Sequence, residues 1–176
     1  MKDTLETING SSLLLPAVLA VFGFFGKSLY DIYLEDRKRD RQLIESKLQN
    51  FYWPICIRLK KNENVFRYLF KGKRDSDKES IDYKISHYVE KNILMNNHEE
   101  ILSIITSYRY LADADNEIGP LIDAFIKHVS IYKALLDSGI NEFPGIISNA
   151  PYPSKIDDYF YEKTKALQEI LDKKRI

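Results

Sequence analysis

The residues in this chain able to do chemistry are few and scattered. His87, His98 and His128 stand at spacings that match no local zinc pattern, and the single cysteine, Cys56, has no histidine beside it in sequence. The chain contains neither a glycine-rich phosphate loop nor a nucleophile elbow. Asp113 and Asp115 could ligate a metal, yet the surrounding LADADNE reads first as a polar loop or helix cap. No catalytic centre, metal or cofactor is therefore expected.

Two basic clusters are candidates for binding. Arg58, Lys60, Lys61 and Arg67 fall within FYWPICIRLKKNENVFRYLF, the densest set of cations with aromatic residues interleaved. Such a set could form a groove for a phosphate-bearing ligand, with bases stacking on rings. It could equally be the solvated basic face of an amphipathic helix. Lys127, His128 and Lys133 form the second cluster, one turn from Tyr132. Here a core histidine bonded to Tyr132 or to backbone is one reading, and a ligand or partner contact is the other.

Helices must position these groups. Thr7 to Gly26, TINGSSLLLPAVLAVFGFFG, holds no ionisable side chain and is followed by Lys27. A helix of about 20 residues rises roughly 30 Å, the hydrocarbon thickness of a bilayer, so residues 1–27 are expected to form a transmembrane segment. A buried or partner-binding helix and a cleaved signal are the alternatives, although the start MKDTLE is net acidic where a signal would be basic. Lys27, Arg37, Lys38, Arg39 and Arg41 follow the stretch and one lysine precedes it. By the positive-inside rule the N-terminus is then outside and the large C-terminal part cytoplasmic, with Tyr30 and Tyr33 at interface depth. At 100° per residue, Asn9, Ser12, Pro16, Leu19, Ala20, Gly23 and Lys27 share one side, and bulky residues such as Val18, Phe22 and Phe25 lie opposite. The small face suits either helix packing or the lining of a pore, with Leu19 as an apolar constriction and Pro16 permitting a kink.

Residues 28–50 contain neither Gly nor Pro and read as a helical stalk, with Tyr30, Leu34, Arg41, Ile44 and Leu48 as a narrow seam. Residues 51–176 read as a helical domain. Phe51, Tyr52, Trp53, Ile55, Ile57, Leu59, Val65, Phe66, Leu69 and Phe70 are too many large apolar groups to leave in water and are assigned to the core. Pro54 places a helix start near Trp53. KGKRDSDKES is a loop, and Ile81–Leu94 and His98–Leu111 are two helical blocks, joined at MNNHE by a turn with Asn97 as N-cap. Pro120 and Gly139 bracket a helix over Glu117–Ser138, with Leu121, Phe125, Val129, Tyr132 and Leu136 on one face. After the irregular INEFPGIISNAPYPS, a last helix covers Asp157–Leu171. The fold class is all-α: one N-terminal transmembrane helix, its stalk, and a cytosolic helical bundle.

Composition sets bounds on function. The 176 residues suit one span and one domain with its own core, and 26 basic against 26 acidic residues argue against a general nucleic-acid coat. One cysteine excludes an intramolecular disulfide framework. No solenoid repeat is visible.

The N-terminal span, FYWPICIRLKKNENVF, FIKHVSIYKALLDSGINEFPG, PYPS and ALQEILDK together give a resemblance. The chain resembles small bacterial membrane-anchored helical proteins of antiphage defence, most of all the membrane effectors of the Hailong system. The resemblance covers most of the chain through packing motifs rather than catalytic ones. It implies a homo-oligomeric ion channel of the inner membrane, a tetramer being one such assembly. It also implies a partner nucleotidyltransferase whose single-stranded oligodeoxyadenylate product holds the channel shut until infection removes it. The periodicity agrees on one point, since a single two-faced helix cannot enclose water and several copies would be needed. A non-conducting, membrane-anchored module that recruits a cytosolic partner, and a nuclease built from distant carboxylates, are the other classes open to this sequence.

Overall fold

The structure, a computed structural model, describes residues 11–67, 81–112, 116–138 and 149–174, without the side chains of 11–15 and 17. Every regular element among them is helical: α1 (Ser11–Lys47), a π-helical turn (Leu48–Tyr52), α2 (Trp53–Val65), α3 (Ile81–Val89), a second π turn (Glu90–Leu94), α4 (Met95–Tyr108), a 3-10 turn (Arg109–Leu111), α5 (Ile118–Ser138) and α6 (Lys155–Lys173). The all-α expectation holds. The chain divides into two compact units, Met1–Leu43 and Ile44–Ile176.

The first unit is the greater part of α1. No Gly or Pro follows Gly26 in α1, and Leu, Glu, Lys and Arg carry it through its charged half. Val18, Leu19, Val21, Phe22, Phe24, Phe25, Leu29, Tyr30, Ile32 and Tyr33 are all exposed along it. Among the described residues no helix is long and apolar enough to cross a membrane. Thr7–Gly10, the start of the expected span, lie outside the described residues.

The second unit is built on one core. Leu48, Phe51, Tyr52, Ile55 and Leu59 enter it from the first π turn and α2, Ile101 and Ile105 from α4. From α5 come Ile118, Ile122, Phe125 and Val129, and from α6 Ile156, Phe160 and Leu167. Phe51, Tyr52 and Phe160 form an aromatic nucleus with ring centroids 5.1 to 5.9 Å apart. The face expected of α5 is the buried one, half-buried Leu121 included, and α5 and α6 fall within one to two residues of their expected bounds.

One expected boundary holds with a difference in what precedes it, and two expectations are corrected. α2 begins at Trp53 with Pro54 in its first turn, as expected, but no break precedes it: Lys47, Tyr52 and Trp53 are all right-handed helical, and the Trp53 amide bonds the Leu48 carbonyl five residues back. Pro54 follows directly on the π turn, and Leu48, Phe51 and Tyr52 of that turn all reach the core. MNNHE is not a turn and Asn97 is not an N-cap. Helical backbone continues through Val89, Leu94 and Met95. The asparagines there bond back along the helix, Asn92 Nδ2 to the Tyr88 carbonyl at 2.9 Å and Asn96 Nδ2 to the Asn92 carbonyl at 2.7 Å, instead of capping it. Finally, Trp53, Ile57 and Phe66, assigned to the core, are 39%, 66% and 57% exposed. Trp53 and Ile57 sit on the side of α2 away from Ile55 and Leu59, and composition alone could not divide the two sides, whereas Phe66 lies just past the end of the helix at Val65. Val65 is half-buried, and Leu69, Phe70 and the loop Lys71–Ser80 lie outside the described residues.

Ile44 and Leu48, expected as stalk seam, belong instead to the second unit, Leu48 in its core and Ile44 packed against it. Ile81, Ile85 and Tyr88 of α3 are exposed, whereas Val89 and Leu94 are buried.

Candidate functional site

The most concentrated chemistry in the second unit is a buried cluster of imidazoles and phenols. His98 arrives from α4, His128 and Tyr132 from α5, and Tyr152 from the segment before α6. His98 and His128 face each other edge to face at 5.9 Å between centroids. Tyr152 stacks on His98 at 6.2 Å, and Tyr132 stacks on His128 at 5.6 Å. Phe125 closes against His98 at 5.4 Å. The α5 spacing of His128 and Tyr132 makes their stack, since residues four apart lie one above the other on a helix.

Three hydrogen bonds tie the cluster to its surroundings, and one buried ring nitrogen has no partner among the described residues. His128 Nδ1 lies 2.9 Å from the Ala150 carbonyl, so of the readings offered for this histidine the backbone bond is the one present. The Tyr132 hydroxyl donates to Oε1 of buried Glu90, and the Tyr152 hydroxyl donates to Asp157 Oδ1 at 2.8 Å. His98 Nδ1 is buried and has no hydrogen-bond partner among the described residues. Beside the cluster, Asn97 Nδ2 donates to Asn62 Oδ1 at 2.7 Å, and Lys61 Nζ donates to Asn97 Oδ1 at 3.3 Å.

Burial sets the charge state. Desolvation, aided by the neighbouring His128, pushes His98 down to about 4, and desolvation lowers His128 against the opposing bond to Ala150. Desolvation also raises the Tyr152 phenol and lifts Asp157 up to about 6, with Glu63 and Asp158 adding to the Asp157 shift and the Tyr152 bond opposing it. Burial raises the half-buried Cys56 thiol, against the opposing bond to Thr164. The cluster is thus a pair of neutral imidazoles held among rings. It can accept a proton at a cost in packing energy, and it offers no cation to an anionic ligand at neutral pH. No group of three or more potential metal-ligating His, Cys, Asp or Glu side chains occurs among the described residues.

The basic residues singled out from sequence do not converge. Arg58 Nε bonds Glu100 Oε2 at 2.5 Å, and its Nη1 bonds the Pro54 carbonyl at 3.1 Å. Glu63 binds Lys60 at 2.6 Å through one oxygen and Arg67 at 2.5 Å through the other. Lys133 is paired with Glu99, and Lys127 is exposed on α5. Lys133 and His128 leave α5 in different directions, the first to solvent and the second inward. Asp113 and Asp115 lie outside the described residues.

No family model, curated protein or solved structure matches the chain.

Of the small-residue face, Pro16, Leu19, Ala20, Gly23 and Lys27 are exposed on α1, and a Cβ placed on Gly23 would meet nothing within 4 Å. Asn9 and the side chain of Ser12 lie outside the described residues. Sequence reasoning missed Glu90, Asn62, Asn97, Tyr152 and Asp157 as members of the polar core. Glu90 sits in the helical block Ile81–Leu94 and gave no signal of burial, and Asn97 reads from sequence as the N-cap of a turn instead of a core residue. Tyr152 is in an irregular stretch without periodicity, although its aromatic ring between two prolines was a signal that the segment packs.

Proposed function

We propose that this chain is a membrane-seated, homo-oligomeric effector: α1 and the residues before it enter the bilayer, several copies together form an ion-conducting path, and the unit Ile44–Ile176 controls it. The observation that carries this reading is the run of exposed large apolar side chains from Val18 to Phe25 on α1, which continues the uncharged stretch beginning at Thr7. Water is a poor neighbour for such a surface, and lipid or another copy is the natural cover. The resemblance to Hailong membrane effectors supports the same reading. It adds an antiphage role at the bacterial inner membrane and control by single-stranded oligodeoxyadenylate from a partner nucleotidyltransferase.

A second reading is favoured by the state of the cations. Arg58, Lys60, Arg67 and Lys133 each contact a carboxylate of the same chain, so an anionic ligand would have to displace those carboxylates before binding. A protein partner, not a nucleic acid, then suits the second unit, in a membrane-anchored module that conducts nothing. Leakage of an ion-sensitive dye from liposomes holding the full-length protein, beside a form lacking Met1–Lys27, separates the two. Leakage that requires the N-terminal segment supports the pore; tight vesicles with inserted protein, with and without oligodeoxyadenylate, overturn it and leave the anchor.

A further inference from the structure

The exposed apolar residues of α1 are not spread evenly. Val18, Phe22, Phe25, Leu29 and Ile32 succeed one another at intervals of four, three, four and three residues. Continuing the same alternation gives Asp36, Arg39 and Leu43. This is the 3.5-residue repeat by which one helix seats its side chains between those of another, and it keeps the stripe facing a single neighbour over seven turns.

Lipid cannot cover the whole stripe. Beyond Lys27 it includes Leu29, Ile32 and Leu43, which are 68%, 54% and 51% exposed. They lie in or beside a segment with eight charged residues between Asp31 and Arg41, which hydrocarbon would not accept. A helix of like pattern can cover it. The two polar positions point to the same occupant: Asp36 and Arg39 have opposite sign, occupy successive positions of the stripe, and approach each other only to 3.8 Å within one chain, both largely exposed. Beside a second copy in register, Asp36 shares a layer with Asp36 and Arg39 with Arg39, and each Asp36 also lies one layer from the neighbour's Arg39, so the two diagonal attractions between copies offset the two same-layer repulsions in a closed set of four charges.

We propose that α1 pairs with α1 of a second copy as a parallel coiled coil through the Val18–Leu43 stripe, with Asp36 and Arg39 exchanging ion pairs between copies and fixing the register. The parallel direction rests on the membrane-seated reading, which places both N-termini on one side of a bilayer; the pairing itself does not. The stripe lies opposite Pro16, Ala20 and Gly23, so the contact turns the small-residue face away from the partner rather than toward it.

The test uses the full-length chain carrying Cys56→Ser in phosphatidylcholine vesicles. Single cysteines are introduced at Leu29, at Leu43 or, off the stripe, at Lys38, and copper–phenanthroline supplies the oxidant. Strong disulfide dimers at Leu29→Cys and Leu43→Cys with little at Lys38→Cys are expected. Equal crosslinking at all three, none at the stripe, or dimers only between mixed Leu29→Cys and Leu43→Cys chains overturns the parallel seam.

Charge exchange supplies a second arm. Asp36→Arg and Arg39→Asp should each crosslink about tenfold less than the parent through Leu29→Cys, and the two mixed together should recover it. Equal crosslinking alone and mixed removes the intermolecular ion pairs. Helical content by circular dichroism is recorded for every variant, and the unsubstituted-charge Leu29→Cys chain decides if a charge variant misfolds. Dye leakage from the same vesicles keeps the two readings apart. Crosslinking without leakage retains the seam and removes the pore, whereas leakage without crosslinking at the stripe removes the seam and retains the pore.

Discussion

Acidification should weaken the helical unit through one side chain, and the effect can be worked out from the His98 environment. The imidazole is buried among Phe125, His128, Tyr132 and Tyr152, its Nδ1 has no partner among the described residues, and burial holds its pKa at about 4 against 6.5 for a free side chain. A histidine whose folded pKa is depressed is bound by protons more readily in the unfolded chain, so its contribution is intact above 6.5 and is lost as pH falls toward 4. Between pH 7 and pH 5 the loss is about 2 kcal/mol, since each unit of pH below 6.5 is worth about 1.4 kcal/mol. Asp157 works in the opposite direction. Its folded pKa, raised to about 6 from 3.8, stabilises the acid form of the fold below 6, discounted to under about 1 kcal/mol for the solvent that reaches it. Comparison with His98→Phe cancels that term, because Phe keeps a ring of similar size and removes the titrating nitrogen. Urea unfolding of the full chain in a non-ionic detergent, followed by far-UV circular dichroism from pH 7 to 5, should give a fall about 2 kcal/mol steeper in the wild type than in His98→Phe. At pH 7 the variant should be at least as stable as the parent, since it leaves no buried nitrogen unpaired. Equal pH slopes in the two proteins would show that His98 is not held neutral by burial, and the account of the cluster would fall with it.

Other consequences are more local. Phe51→Ala removes a ring with no exposed surface from the nucleus with Tyr52 and Phe160, and should cost about 3–5 kcal/mol in the same unfolding assay. Tyr152→Phe deletes the hydroxyl that donates to Asp157; it should raise the Asp157 pKa further, read by carboxyl-carbon NMR titration, and cost about 1 kcal/mol at pH 7. Asn97→Ala leaves Asn62 without its amide donor in a buried position and should cost about 1–3 kcal/mol. Lys133→Ala removes only an exposed pair with Glu99, so its urea midpoint should stay close to the parent's, at low salt and at high salt alike.

The helices were legible where one face repeats without interruption. The buried stripe of α5 from Leu121 to Leu136 could be read directly, because Pro120 marks its start and the stripe carries large apolar groups at every turn. The π turns were not legible. Each inserts a residue that shifts the phase of the pattern, so Trp53 and Ile57 were grouped with Phe51 and Tyr52, and the run from Ile81 to Tyr108 was divided where it continues. The candidate site was legible only in His128 and its two possible bonds. Its other members come from α4, α5 and the segment before α6, between forty and sixty residues apart at the extremes, and only tertiary packing brings His98 against Tyr152. The basic sets illustrate the converse. Their cations are close in sequence, but Glu63, Glu99 and Glu100 meet them in space, two of these from a helix that local charge counting does not include.

Trp53 is the chain's single tryptophan, and it lies outside the core at the junction of the first π turn with α2. Its indole already meets solvent in the native state, so its emission should be red-shifted and open to acrylamide before any unfolding occurs. Intrinsic fluorescence is therefore a poor gauge of global melting here, and a good optical probe of whatever comes to lie against that side of α2. A blue shift on mixing with a partner, a vesicle or another copy would place the new neighbour within reach of one known ring, with no label attached.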